Sequence, residues 1–435
     1  MNVATKRDLV SELAASRTRS YSPADQALRE DALTYLKNTG LPISKTEEYR
    51  FAPVTRILEK NFDSLTLSSQ VNTVVSVNEF LIEGLKGNII VFVNGSYAPA
   101  LSKIVSNPDQ IIIKPLSKAL VENEEVVSAL LNQKEDYKKD PFSAVNTGLW
   151  SEGLFFHVAK HTEVKEPVYL LSLNDASSAV SVHTRIVGWV EEGSEVTLIE
   201  RFETTGHEAA FHTQVEEISV AKEAVLNYYK IQNDPGKSIQ VCNTLIHQSD
   251  HSHVNTFTLT MNGEVVRNNF SIAIDGEHCE SHFHGLYLLT GNTLADNHTV
   301  VDHIKPNSFS NELYKGVMDG HSKGVFNGKI YVRPQAQKTN AFQSNRNVLL
   351  SETSTINTKP QLEIWADDVK CSHGCTTGQL DEEALFYLQS RGINKDSARA
   401  MLLYAFASDV IATIKDETLK TYFDQLIAER LHKNF

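Results

Sequence analysis

Cysteine is scarce in this chain: Cys242, Cys279, Cys371 and Cys375 are the only four in 435 residues. So few thiols in so long a chain exclude a disulfide framework and leave each cysteine to act as a core residue or a ligand. Long apolar runs are missing too. No stretch approaches the roughly 20 residues that a bilayer-crossing helix needs, and the best candidate, Asn88 to Val93 (NIIVFV), reads as a buried strand. The opening residues, MNVATKRDLVSELAASR, hold no apolar core and no small-residue cleavage site, so no secretory signal is expected and the expected location is cytoplasmic. Positive charge is in deficit, with 41 Lys and Arg against 54 Asp and Glu and a formal net charge of −13. Phosphate contacts need clustered cations, so this balance argues against a general binder of nucleic acid or of an anionic membrane. Catalytic signatures are absent as well. There is no GxxxxGK[ST] loop to hydrolyse ATP, no GxGxxG behind a strand and no GxSxG.

What is present is an ordinary soluble mix, 41% hydrophobic and 22% charged, with length for one large core or for two to three domains. The first 60 residues look helical. Ser22 caps a helix with Pro23 at its first position and Asp25 at its third; Ala32, Leu33 and Leu36 follow, and the helix stops at Gly40, before Pro42. A strand at Asn88–Val93, an Asn94-Gly95 turn and an apolar run at Gln110–Ile113 come next. The charged stretch Glu122 to Asp140, with Asn123 to Leu131 of helical character, is a candidate boundary. From about Trp150 to Trp365, short β-branched runs alternate with turn signals at Gly193, Asn262-Gly263, Asp275-Gly276, Gly291-Asn292 and Asn327-Gly328, and there is almost no helix. A barrel, a double sandwich and a β-solenoid all fit that texture, since no clean internal repeat selects among them. The end is helical: Asp381 to Arg391, closed by Gly392; a second helix capped by Asn394 with Leu403, Phe406, Val410 and Ile414 in one stripe; and a third from Glu417 to Leu431. Three short helices bury little by themselves, so an apolar face is left for a neighbour or a partner. The division is 1–140, mixed and helical; 141–370, the β core; and 371–435, helical.

Two constellations carry chemistry. In Lys370-Cys371-Ser372-His373-Gly374-Cys375 the two thiols and the imidazole alternate, so on an extended strand Cys371, His373 and Cys375 face one side. That donor set suits iron, zinc or copper(I). A tight turn with buried thiols is the competing reading, and Gly374 is where the register would break. A closed zinc site needs a fourth ligand, so an incomplete site finished by a partner is the more natural form. The second constellation is histidine-rich: His247, His251 and His253; His278, His282 and His284 beside Cys279; then His298 and His303. With His251/His253 and His282/His284 read as i, i+2 pairs on strand faces, the alternative function is an all-β metalloenzyme. The plainer reading is a set of stacked, hydrogen-bonded polar residues.

Several blocks in order resemble the SufB/SufD family of iron–sulfur cluster assembly proteins. They are SNELYKG (Ser310 to Gly316), FNGKI (Phe326 to Ile330), AQKT (Ala336 to Thr339), QSN (Gln343 to Asn345), KPQLEI (Lys359 to Ile364), DDVKCSHG (Asp367 to Gly374) and LFYL with SRG (Leu385 to Gly392), with an upstream echo from Trp150 to Pro167. The resemblance implies a mainly β protein: a right-handed parallel β-helix core between helical N-terminal and C-terminal regions. It implies a scaffold and not an enzyme, pairing with a SufB subunit through the β-helix cores and with the SufC ATPase through the C-terminal helices; alone, the chain would pair with itself. It also implies a transient iron–sulfur cluster or iron shared with SufB, and no tightly bound cofactor in the isolated chain. SufB-type chains carry a cluster-holding cysteine where Asn340 to Leu350 has none, and SufD-type chains place the histidine of CSHG at the subunit interface, so the SufD side of the family is the better match. On that basis His373 supplies a nitrogen ligand and Cys371 a transient sulfur ligand. Cys375 departs from the alanine common at that place in the family and adds a third candidate metal ligand.

Overall fold

The computed structural model describes residues 7–16, 20, 23–65, 76–132 and 136–434. The strands of the β region are 7 to 12 residues long, and each is followed by a corner too short to hold a crossover helix. Parallel neighbours need such a crossover, and here the opposite sheet provides it. Sixteen strands in succession, from Glu152–Val158 to Lys370–Gly378, alternate between two sheets, so hydrogen-bonded neighbours are two strands apart in sequence. The result is a parallel β-solenoid of eight two-strand turns. Turn length varies, from 26 residues between Ile239 and its partner Val265 to 32 between Lys323 and Thr355. That drift hides the repeat from any fixed-period reading.

The corners are built on left-handed residues. Glu223, His251, His278, Asn307 and Lys338 all have φ between 55° and 64°, and corner amides bond to the corner above, as His251 N does to the Glu277 carbonyl at 2.8 Å. Two sequence expectations change here. His251 occupies a corner, so it does not form a strand-face pair with His253. Asn327-Gly328 is no turn: both lie inside the strand Lys323–Val332, because the glycine is needed for space, as described below.

Helices cover both outer faces. On the N-terminal side, Pro23–Thr39, Val54–Asn61 and Pro141–Leu149 bring Leu36, Leu58, Phe142 and Leu149 onto Phe211, Ile239, Val241 and Val265 of one sheet. The helix at Pro23 begins and ends as expected, while Ser22 lies outside the described residues. On the other side, Lys395–Ile411 and Glu417–Asn434 lay Leu403, Val410, Phe423 and Ile427 on Ile199, Tyr229, Phe257 and Leu286. The cap expected at Asn394 forms, accepting from Ser397 N at 2.8 Å, and Asp381 caps the helix Glu382–Ser390 by accepting from Ala384 N at 3.0 Å. Arg430 fastens the last helix by donating to the carbonyls of Met261 at 2.8 Å and Leu288 at 3.1 Å. Lys315 of SNELYKG fastens the previous one, donating to the Phe406 carbonyl at 2.6 Å beside Asp409. The apolar stripe therefore docks on the solenoid itself, and what stays exposed is Phe386, Tyr387, Met401 and Tyr404.

The solenoid's two ends differ. At the first, Ile111–Pro115 pairs antiparallel with Glu152–Val158 and Ser96–Tyr97 with Asn88–Val93, and the helices Leu116–Glu122 and Glu124–Leu130 seal Trp150, Phe155 and Val187. At the second, Thr355–Ile364 and Lys370–Gly378 are each paired on one edge only. The strand Lys370–Gly378 crosses the sequence-drawn boundary at 370/371, and the helices begin at Glu382.

Candidate functional site at the open rung

The strand Lys370–Gly378 continues unbroken through Gly374, in register with Asn340–Leu349. Cys371, His373 and Cys375 pair with Ala341, Gln343 and Asn345. Those three partners are all buried, while Phe342 between them and Arg346 just beyond are exposed and Ser344 is half-buried. The two thiols and the imidazole therefore lie on the inward face, the one that would be interior if another turn followed. None does, so residues 372–378 are exposed and only Cys371 still packs against the core. Burial raises the Cys371 thiol above its ordinary value.

The three share a face without converging. On an extended strand, side chains two apart stand roughly 6–7 Å from each other, and among the described residues no three His, Cys, Asp or Glu side chains form a group able to hold a metal ion. The histidines further down are dispersed in the same way. His282 stacks on His284 at 6.2 Å, and His251 on His278 at 5.0 Å at the corners. His298 pairs with Asp296 at 3.0 Å, and His303 is buried against Ser310 at 2.9 Å. Burial pushes His284 and His303 down to about 4, so both are neutral packing groups at physiological pH. Cys242 and Cys279 are core thiols; burial pushes Cys242 up to about 12.

Sequence reasoning missed the polar interior. Between the sheets, Glu216 accepts from Lys230 Nζ at 2.7 Å and from Tyr228 at 2.6 Å, with Glu200, Gln214 and Thr244 around them. Burial and the adjacent Glu216 charge push Glu200 up to about 8, so it keeps its proton at neutral pH. Burial alone would raise Glu216 as well, but the Lys230 ammonium brings it below its ordinary value. Further along, Gln232, Asn268 and Asn297 are hydrogen-bonded at 2.9 and 3.0 Å. Gln343 then donates to Glu312 at 2.5 Å, and Asn345 to Tyr287 at 3.0 Å. The signal was an inverted alternation. In Ala210–Val220 and Ser238–Gln248, Phe211, Ile239 and Val241 face the helices, while His212, Gln214, Gln240 and Cys242 face inward.

A cavity of about 460 Å³ opens elsewhere, between Asp140 and the outer sheet face at Arg267, His298 and Lys329. Its buried Arg267 is committed to Asp296, the Glu48 carbonyl and the Tyr49 ring, so this wall ties the N-terminal helices to the solenoid.

Comparison with known proteins covers most of the chain. Residues 172–406 match the family model described as SUF system FeS cluster assembly, SufBD core domain, and residues 7–170 match the SufBD protein N-terminal region. An iron–sulfur cluster assembly SufBD family protein of Synechocystis sp. is 30% identical over 92% of this chain and 90% of its own length. The iron–sulfur cluster assembly protein SufD of Escherichia coli is 28% identical over 96% and 94%. The chloroplastic protein ABCI7 of Arabidopsis thaliana is 26% identical over 91% and 84%.

Proposed function

The chain belongs to the SufBD family of iron–sulfur cluster assembly proteins, and on that footing we propose that it is the SufD-type scaffold subunit of a cytoplasmic assembly complex. The observation that carries this reading is the open rung. An unpaired, uncovered strand edge is a template for another chain. Here the edge displays its inward face, with Cys371, His373 and Cys375 on it. A homologous SufB-type solenoid placed end to end would cover both edges and bring its own donors to the same seam.

Such a seam suits a scaffold. Iron and sulfide are cargo, to be gathered firmly and then released. A neutral imidazole is a weaker iron donor than a thiolate, and a half-set of ligands on each subunit lets the cluster go when the seam opens. His373 supplies the nitrogen and Cys371 a transient sulfur donor, and Cys375 stands exposed at the outer end of the row. The strand Asn340–Leu349 offers no thiol, which leaves the principal cysteine to the partner. The isolated chain then holds no tightly bound cofactor. The exposed Phe386 and Tyr387 on Glu382–Ser390 form the surface for the SufC-type ATPase, whose cycle would shift the C-terminal helices against the solenoid.

Co-expression with the cognate SufB and SufC chains and capture through a tag on this chain tests the reading. A ternary complex is expected from the full chain, and one lacking the ATPase from a chain ending at Gln379. Recovery of this chain alone, with its own bound metal, would overturn the reading and return attention to the histidines.

A further inference from the structure

Four sequence blocks that lie apart in the chain meet beneath the open rung. Glu312 of SNELYKG pairs in register with Gln343, and Gln343 pairs in register with His373 of KCSHG. All three are on the inward face. Neighbouring strands are about 4.8 Å apart, so the Gln343 carboxamide stands one rung under the imidazole and the Glu312 carboxyl one rung further down. Gln343 Nε2 donates to Glu312 Oε2 at 2.5 Å. With the amide nitrogen given to Glu312 in this way, the amide oxygen is the atom left over. Gln343 Oε1 is then left buried with no hydrogen-bond partner, on a residue 3% exposed. A buried acceptor without a partner is costly, so its retention calls for a donor.

The fourth block makes room for this arrangement. Gly328 of FNGKI is a mid-strand glycine, and a Cβ there would lie 2.3 Å from Gln343 Nε2 and 2.7 Å from its Cδ. The carboxamide occupies the space that every other residue at 328 would take.

We infer that Gln343, held in place by Glu312 and Gly328, is a positioning residue: its Oε1 accepts the ring N–H of His373 and turns the other ring nitrogen outward toward the seam. An imidazole that gives one nitrogen to a metal carries its proton on the other, and that N–H is ordinarily held by a carboxylate or carbonyl that sets the tautomer. A carboxamide oxygen does this without adding a negative charge next to the ring. The inference rests on His373 as the iron-facing nitrogen of the proposed scaffold, but the tautomer is measurable without iron.

The test is ¹⁵N NMR of histidine side chains in the full chain, with His373 assigned by its loss in His373→Asn. Wild type is expected to show one dominant His373 tautomer. Gln343→Leu should move it to the mixture seen for free histidine, and Gly328→Ala, which pushes on the carboxamide without removing it, should move it the same way. Glu312→Gln keeps an acceptor for Gln343 and should restore the wild-type pattern that Glu312→Leu loses. If either Gln343→Leu or Gly328→Ala fails to fold, the other remaining folded variant decides. An unchanged His373 tautomer in that variant overturns the inference. Cluster content of the His373→Asn complex is read separately: full content there would refute the iron-facing role, whatever the tautomer shows.

Discussion

The two ends of this solenoid solve the same problem in opposite ways. At the first end, two antiparallel strands and short helices close the ladder and bury Trp150, Phe155 and Val187. At the second end the ladder stops with strands whose edges and inner face meet solvent. A terminal turn without a cap leaves backbone groups unpaired and invites association. On the proposed reading, one sealed and one exposed end separate stability from function: the sealed end holds the fold, and the open end, which carries Cys371, His373 and Cys375, is left for another chain to complete.

The largest expected effects lie at the sealed end and in the interior. Trp150 is fully buried, with Arg29 stacked 4.3 Å from its ring. Trp150→Ala should cost about 3–5 kcal/mol in urea unfolding, whereas His373→Ala should stay within about 0.5 kcal/mol of wild type. Equal losses at both ends would break the comparison. Lys230→Met should also cost roughly 3–5 kcal/mol, because it strands the Glu216 carboxylate in the interior. Arg430→Met should cost less, about 1–3 kcal/mol for the unmet carbonyls of Met261 and Leu288. Hydrogen exchange should localise that loss to Glu417–Asn434, leaving the open rung unchanged.

A further effect is a pH dependence. Burial pushes Glu312 up to about 7 from an ordinary 4.5. The native state thus holds a proton that the unfolded chain has released between those values, and its contribution to stability falls as pH rises through that window. Glu312→Gln has no such loss, so urea unfolding at pH 5 and pH 8 should show the variant gaining on wild type at the higher pH. His183 and His212 act in the opposite sense. Burial pushes both down to about 3, so stability is lost as pH falls from 6.5 toward 3.

Much of this was legible in the sequence, and the exceptions have physical causes. The helix start at Asp381, the cap at Asn394, the turn at Asn94-Gly95 and the alternation in KCSHGC follow from local rules, and the structure keeps them. The solenoid was not readable from periodicity, because its turns vary in length, and the choice came from the family resemblance. Gly328 looked like a turn residue because sequence alone does not show that a side chain one strand over needs its space. The polar interior around Lys230 and Glu216 was not legible because alternation is usually read as polar side outward. Helices covering both outer faces reverse that rule along half of several strands.

The most direct test of the account is the iron and acid-labile sulfide content of the co-expressed complex, captured through this chain, for wild type and for the Cys371→Ser, His373→Ala double variant. The account predicts an intact complex with unchanged subunit ratios and a loss of most of its cluster. Wild-type cluster content in the double variant would contradict it.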